Sequence, residues 1–93
     1  MKQDADFFAN GDPRLIYIAK TLRDALRLEG LLTAAGVDYG VEADRYTGGV
    51  VFRTERTGAF FYVLPEAAEL ALRVMQENRY KPVKAEVAFP EES

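Results

Sequence analysis

Ala59-Phe60-Phe61-Tyr62-Val63-Leu64-Pro65-Glu66 is the most apolar run of the chain, stopped by a proline and an acid. Aromatic and β-branched residues in an unbroken run read as a strand. Apolar side chains on both of its faces predict a central place in a sheet. Pro65 suits the first turn of a helix, and Glu66 and Glu69 suit that helix's positive end. The helix then presents Ala67, Ala68, Ala71, Val74 and Met75 as its buried stripe, with Arg73 and Arg79 toward its negative end. It closes near Asn78, ahead of Pro82.

Upstream of this strand, Arg56-Thr57-Gly58 reads as a hairpin connection and Val50 to Glu55 as another strand. Asp44 to Gly49 reads as a loop, because Thr47-Gly48-Gly49 continues an ordered element only at a cost in entropy. Val37 to Ala43 alternates as a strand. Before it, Leu22, Ala25, Leu26, Leu28, Leu32 and Ala35 recur at helical spacing, with Arg23, Arg27 and Thr33 outward. Thr21 and Asp24 form a capping signal at the start of that helix, and Gly36 stands where a left-handed cap residue is expected. Leu15 to Ala19 is a first strand.

The expected order is β-α-β-β-β-α-(β), an α+β fold. Two helices of this length cover one face of a mainly antiparallel sheet, a two-layer ferredoxin-like plait. Residues 1–13 read as a mobile N-terminal arm that includes Phe7 and Phe8, and 14–84 as a single α+β domain. Residues 85–93 hold the end of a weakly alternating edge strand that begins at Val83, and an acidic tail. Strict alternation puts Ile16, Ile18, Phe61 and Val63 on the helix-covered face. It leaves Leu15, Tyr17, Phe60 and Tyr62 on the other. A bare aromatic face needs cover, and a second copy of the chain is the expected occupant, giving a homodimer. The N-terminal arm or residues 83–89 folded across that face are the alternative.

The 93 residues contain no histidine, cysteine or tryptophan, and the only serine is Ser93. Most nucleophilic, general-base and transition-metal chemistry near neutral pH draws on His, Cys or an activated Ser. The composition therefore points away from an enzyme and from a cofactor or metal site. The net charge of −3 divides unevenly: the two ends carry six acids against Lys2 alone, and residues 14–84 carry eleven Lys and Arg against nine acids. A body this close to neutral gives no footprint for nucleic acid. With no secretion signal and no membrane-length apolar run, a cytoplasmic protein is expected.

One region has the composition of a site: Arg45, Tyr46, Gly48 and Gly49, with Arg53 and Arg56 nearby. Guanidinium forks match phosphate or carboxylate, an aromatic stacks on planar ligands, and glycines admit close approach. The plainer reading of the glycine pair is a turn, since phosphate cradles precede helices rather than strands. Glu29 lies at the edge of the first helix's stripe and reads as paired or solvated. Gly30 beside it costs about 1 kcal/mol relative to Ala and suggests a close helix approach.

The stretches Tyr17-Ile18-Ala19 and Ala25-Leu26-Arg27-Leu28-Glu29-Gly30-Leu31-Leu32-Thr33-Ala34-Ala35-Gly36-Val37, with Tyr62-Val63-Leu64-Pro65-Glu66 and the helix through Glu77, carry a family likeness. Over residues 15–80 the chain resembles the prokaryotic signal-transducing proteins, a small bacterial domain family of unknown function. The resemblance implies a ferredoxin-like plait akin to the nitrogen-regulatory PII-like proteins. It also implies a regulatory or sensing role, and it carries over no catalytic residue. The chain departs from the family in its N-terminal arm and in the Arg45–Gly49 segment. The combined expectation is a non-enzymatic regulatory or interaction domain that binds a protein partner or a small anionic effector. An enzyme built on carboxylate, Tyr and Arg, or a structural accessory subunit, is the alternative.

Overall fold

Residues 1–3, 8, 11–48 and 54–83 are described by a computed structural model. Its elements run β1 (Arg14–Ala19), α1 (Leu22–Ala34), β2 (Gly40–Gly48), β3 (Thr54–Val63) and α2 (Pro65–Glu77). The sheet has three strands in the order β1-β3-β2, and both pairings are antiparallel. The apolar run at 59–63 is thus the central strand. One core joins Ile16, Phe61 and Val63 of the sheet to Ala25, Leu28 and Leu32 of α1 and to Ala71, Val74 and Met75 of α2. Both helices therefore pack on the Phe61 face, as expected of an α+β fold. Among the described residues, no helix is long and apolar enough to cross a membrane.

The helix ends follow from local chemistry. Thr21 Oγ1 accepts the Asp24 backbone N–H at 3.1 Å. At the other end of α1, Gly36 takes φ +77°, the left-handed region that costs glycine least. Val37 N–H then reaches Leu32 O at 3.0 Å and Gly36 N–H reaches Thr33 O at 3.1 Å. These are the paired bonds of a Schellman cap. The same pair recurs after α2, where Tyr80 N–H bonds Met75 O at 2.8 Å and Arg79 N–H bonds Gln76 O at 3.2 Å. There the left-handed position is held by Arg79, φ 66°, a side chain that suffers the steric cost glycine avoids. Arg79→Gly is expected to raise stability by about 1 kcal/mol, lifting Tm by roughly 4–8 °C, measurable by thermal unfolding.

Four expectations change. First, among the described residues two strands, β2 and β3, lie between α1 and α2, and their bounds differ from those expected. Asp44–Gly48 is strand rather than loop, paired residue for residue with Thr54–Gly58. Arg56-Thr57-Gly58 is the interior of β3 and not a hairpin. Every added register pair satisfies backbone groups that a loop leaves to water, and this outweighs the glycine penalty. The chain connecting β2 and β3 falls at 49–53, so the expected strand over Val50–Phe52 lies outside the described residues. Second, β1 carries a bulge. Leu15 opposes Tyr62 and Tyr17 opposes Phe61, so Ile16 is the extra residue between them. Beyond it the alternation inverts, Tyr17 joins Phe61 on the helix face, and Ile18 takes the place opposite Phe60.

Third, Leu22 and Leu26 do not belong to the buried stripe: they are 74% and 57% exposed. The stripe of Ala25, Leu28 and Leu32 is narrower than the sequence suggests. Fourth, Gly30 marks no close approach, since nothing lies within 4 Å of where its Cβ would stand.

The described part of the N-terminal arm is tied down. Lys2 forms a parallel bridge with Tyr39, Gln3 N–H bonds Tyr39 O at 2.7 Å, and Tyr39 N–H bonds Met1 O at 3.1 Å. Downstream of α2, Val83 N–H bonds Ile16 O at 2.9 Å. The strand expected to continue from Val83 lies outside the described residues.

Candidate functional site

Past the last β1 pairing, Ala19 with Ala59, β2 and β3 run on together as a two-stranded ribbon. Its pairs are Asp44 with Gly58, Arg45 with Thr57, Tyr46 with Arg56, Thr47 with Glu55 and Gly48 with Thr54. At about 3.3 Å per residue the ribbon extends roughly 15 Å. Asp44, Arg45 and Thr57 on it are exposed. Four of the six residues singled out from the sequence thus meet here: Arg45, Tyr46 and Gly48 on β2, and Arg56 on β3. Gly49 and Arg53 lie outside the described residues. Tyr46 and Arg56 are register partners, and Arg45 pairs with Thr57 at the adjacent position. The Asp44 carboxylate accepts the Arg45 backbone N–H at 2.7 Å.

The second candidate surface, Leu15, Tyr17, Phe60 and Tyr62, is revised by the bulge. Tyr17 leaves it and Ile18 enters. Phe60 is only 6% exposed although it stands apart from the core on the helix side. Phe8, from the arm, lies against this side of the sheet: a Cβ on Gly40, opposite Tyr62, would stand 2.5 Å from Phe8 Cε2. Part of the face is therefore covered by the chain itself, and Leu15, Ile18 and Tyr62 remain half-buried. Burial holds the Tyr62 phenol above its ordinary pKa, and the charges of Glu42 and Asp44 add to this. Gly40→Val is expected to displace Phe8 without breaking the core. Limited proteolysis should then cut between residues 3 and 11 faster than in the parent chain.

Two acid–phenol clusters tie α1 to the rest of the molecule, and neither was legible in the sequence. Tyr17 O–H donates to Asp24 Oδ2 at 2.7 Å, and Tyr80 O–H donates to Asp24 Oδ1 at 2.9 Å. The two rings meet edge to face with centroids 5.1 Å apart, and the Arg27 guanidinium lies 5.0 Å over Tyr80. Burial first, and then the bond and charge of Asp24, hold the Tyr17 phenol far above its ordinary range. Tyr80 is raised by burial, with Arg27 opposing and Asp24 adding. In the second cluster, Tyr39 O–H donates to Glu29 Oε1 at 3.3 Å, and Thr33 Oγ1 stands 3.2 Å from the same phenol. Lys2 Nζ is 3.8 Å from Glu29. Burial raises the Tyr39 phenol, Thr33 works against it and Glu29 with it. Glu29 is the paired acid at the edge of the stripe that the sequence suggests, and its partners are Tyr39 and Lys2.

Compared with protein-family models, curated proteins and solved structures, the chain matches none. The family likeness described above therefore rests on the residues quoted for it.

Proposed function

We propose that this chain is a non-catalytic regulatory or interaction domain whose contact element is the β2–β3 ribbon. One observation carries the reading. The ribbon extends beyond β1 with Asp44, Arg45 and Thr57 exposed. A two-stranded ribbon is at best marginally stable alone. An element ordered at that cost, with these side chains left outside the core, is placed where recognition residues usually sit, on a rigid scaffold's projection. Its ligand is a protein partner or a small anionic effector, met by Arg45 and by the paired strand positions Tyr46 and Arg56 beside it. The β1-β3-β2 order and the return of Val83 to β1 support a ferredoxin-like plait, and with it the regulatory role that the family resemblance implies. Homodimer formation has a narrower basis: Leu15, Ile18 and Tyr62 around Phe8.

Heteronuclear NMR titration with inorganic pyrophosphate and with ATP tests the effector reading. Shifts confined to 44–48 and 54–58, abolished in Arg45→Glu/Arg56→Glu, support it. No shift from either compound leaves the protein partner. Unchanged binding in the double variant removes the ribbon from the proposal. Light scattering of the parent chain decides the homodimer.

A further inference from the structure

A second surface, separate from the ribbon, lies on the outer side of α1. Leu22 and Leu26, one helical turn apart, are 74% and 57% exposed. Single exposed leucines are ordinary, whereas two on one stripe make a patch. The patch continues onto Gly30, where the backbone is bare. Its charge is one-signed. Lys20, Arg23 and Arg27 are exposed around it, while Asp24 and Glu29, the only acids of α1, are half-buried and engaged by Tyr17 and Tyr80 and by Tyr39 and Lys2. Lys20 and Arg23 also stand at the helix N-terminus, where the macrodipole disfavours cations by a few tenths of a kcal/mol. Folding gains nothing from exposed leucines or from cations at that end.

We infer that the Leu22–Leu26 stripe, framed by Lys20, Arg23 and Arg27, is a docking site for an acidic amphipathic helix of a partner protein. Apolar residues at every third and fourth position of that helix would cover the leucines, and flanking Asp or Glu would meet the arginines. A second copy of this chain fits poorly. Antiparallel α1 helices would bring arginines together, and two leucines per copy fall far short of the roughly 800 Å² per partner of a stable dimer. A lipid surface fits less well too, because the opposite side of α1 is packed into the core and no aromatic residue lies on the stripe.

The test is fluorescence anisotropy with a labelled, capped peptide of about four helical turns, leucine on one face and glutamate on the rest. The twin peptide with lysine for glutamate is the control. The expected result is saturable binding of the acidic peptide alone, weakened by salt. Leu22→Glu/Leu26→Glu and, separately, Arg23→Glu should each lower affinity at least about tenfold, with circular dichroism unchanged. NMR shifts should map to 20–30 and leave the ribbon untouched. Equal binding of the lysine peptide, full affinity in the variants, or shifts confined to the ribbon would overturn the inference. So would binding to phosphatidylserine vesicles with none to the peptide, or self-association in light scattering that the leucine variants abolish.

Discussion

Phe61→Ala is expected to remove about 3–5 kcal/mol, most of the stability of a domain this size, and to leave it partly unfolded at 37 °C. Phe61 is 0% exposed, stands on the central strand and touches the core from both sides of the sheet register: its ring lies 6.0 Å from Tyr39 and 6.4 Å from Tyr17. Truncation leaves a cavity that neither helix can fill without moving off the sheet. Phe60, one residue away, lies outside that core, so Phe60→Ala should cost clearly less. Urea midpoints of the two variants measure the contrast. Equal losses would mean that the helix-covered face has been wrongly assigned.

Asp24→Ala carries the second large effect, about 2–3 kcal/mol. The carboxylate accepts from both Tyr17 and Tyr80, and bonds to a charged group contribute more than neutral ones. Its negative charge in the first turn of α1 adds a little through the helix dipole. The backbone cap from Thr21 survives, because it uses the Asp24 amide and not its side chain. A double-mutant cycle of Asp24→Ala with Tyr80→Phe isolates the tie. The two changes should be non-additive by about 1 kcal/mol, since the phenol bond can be lost only once. Strict additivity would show that Tyr80 and Asp24 do not bind each other in solution.

The residues that the sequence makes legible act through their neighbours in the chain. Thr21 caps because its hydroxyl lies three residues from a free amide, Gly36 turns left because it lacks a Cβ, and Pro65 starts α2 because it needs no donor. The central place of β3 was readable from apolar residues on both faces. The rest depends on long-range registration. A one-residue bulge at Ile16 leaves no mark in composition, yet it reverses Tyr17 and Ile18. Arg79 in a left-handed cap is invisible because nothing but the fold demands that conformation there. The Tyr80–Asp24 bond spans 56 positions, and no local pattern announces it. Among the candidate contact residues, Arg45, Tyr46 and Arg56 fall at neighbouring positions of the β2–β3 ladder. They lie on paired strands rather than a glycine loop because the ladder continues through Gly48.

The most direct test of whether the acid–phenol clusters tie the fold together, rather than perform chemistry, is a spectrophotometric titration of the tyrosines followed beside circular dichroism. Below about pH 9 the phenols are protonated in folded and unfolded chains alike. Above it the unfolded chain releases protons that Tyr17, Tyr39, Tyr62 and Tyr80 retain when folded, so stability falls as pH rises. The predicted result is that the phenolate absorbance of four of the five tyrosines appears late and together with loss of helix signal. A phenolate forming below about pH 9 in the intact fold, and vanishing in Tyr17→Phe or Tyr80→Phe, would contradict it and mark an activated side chain.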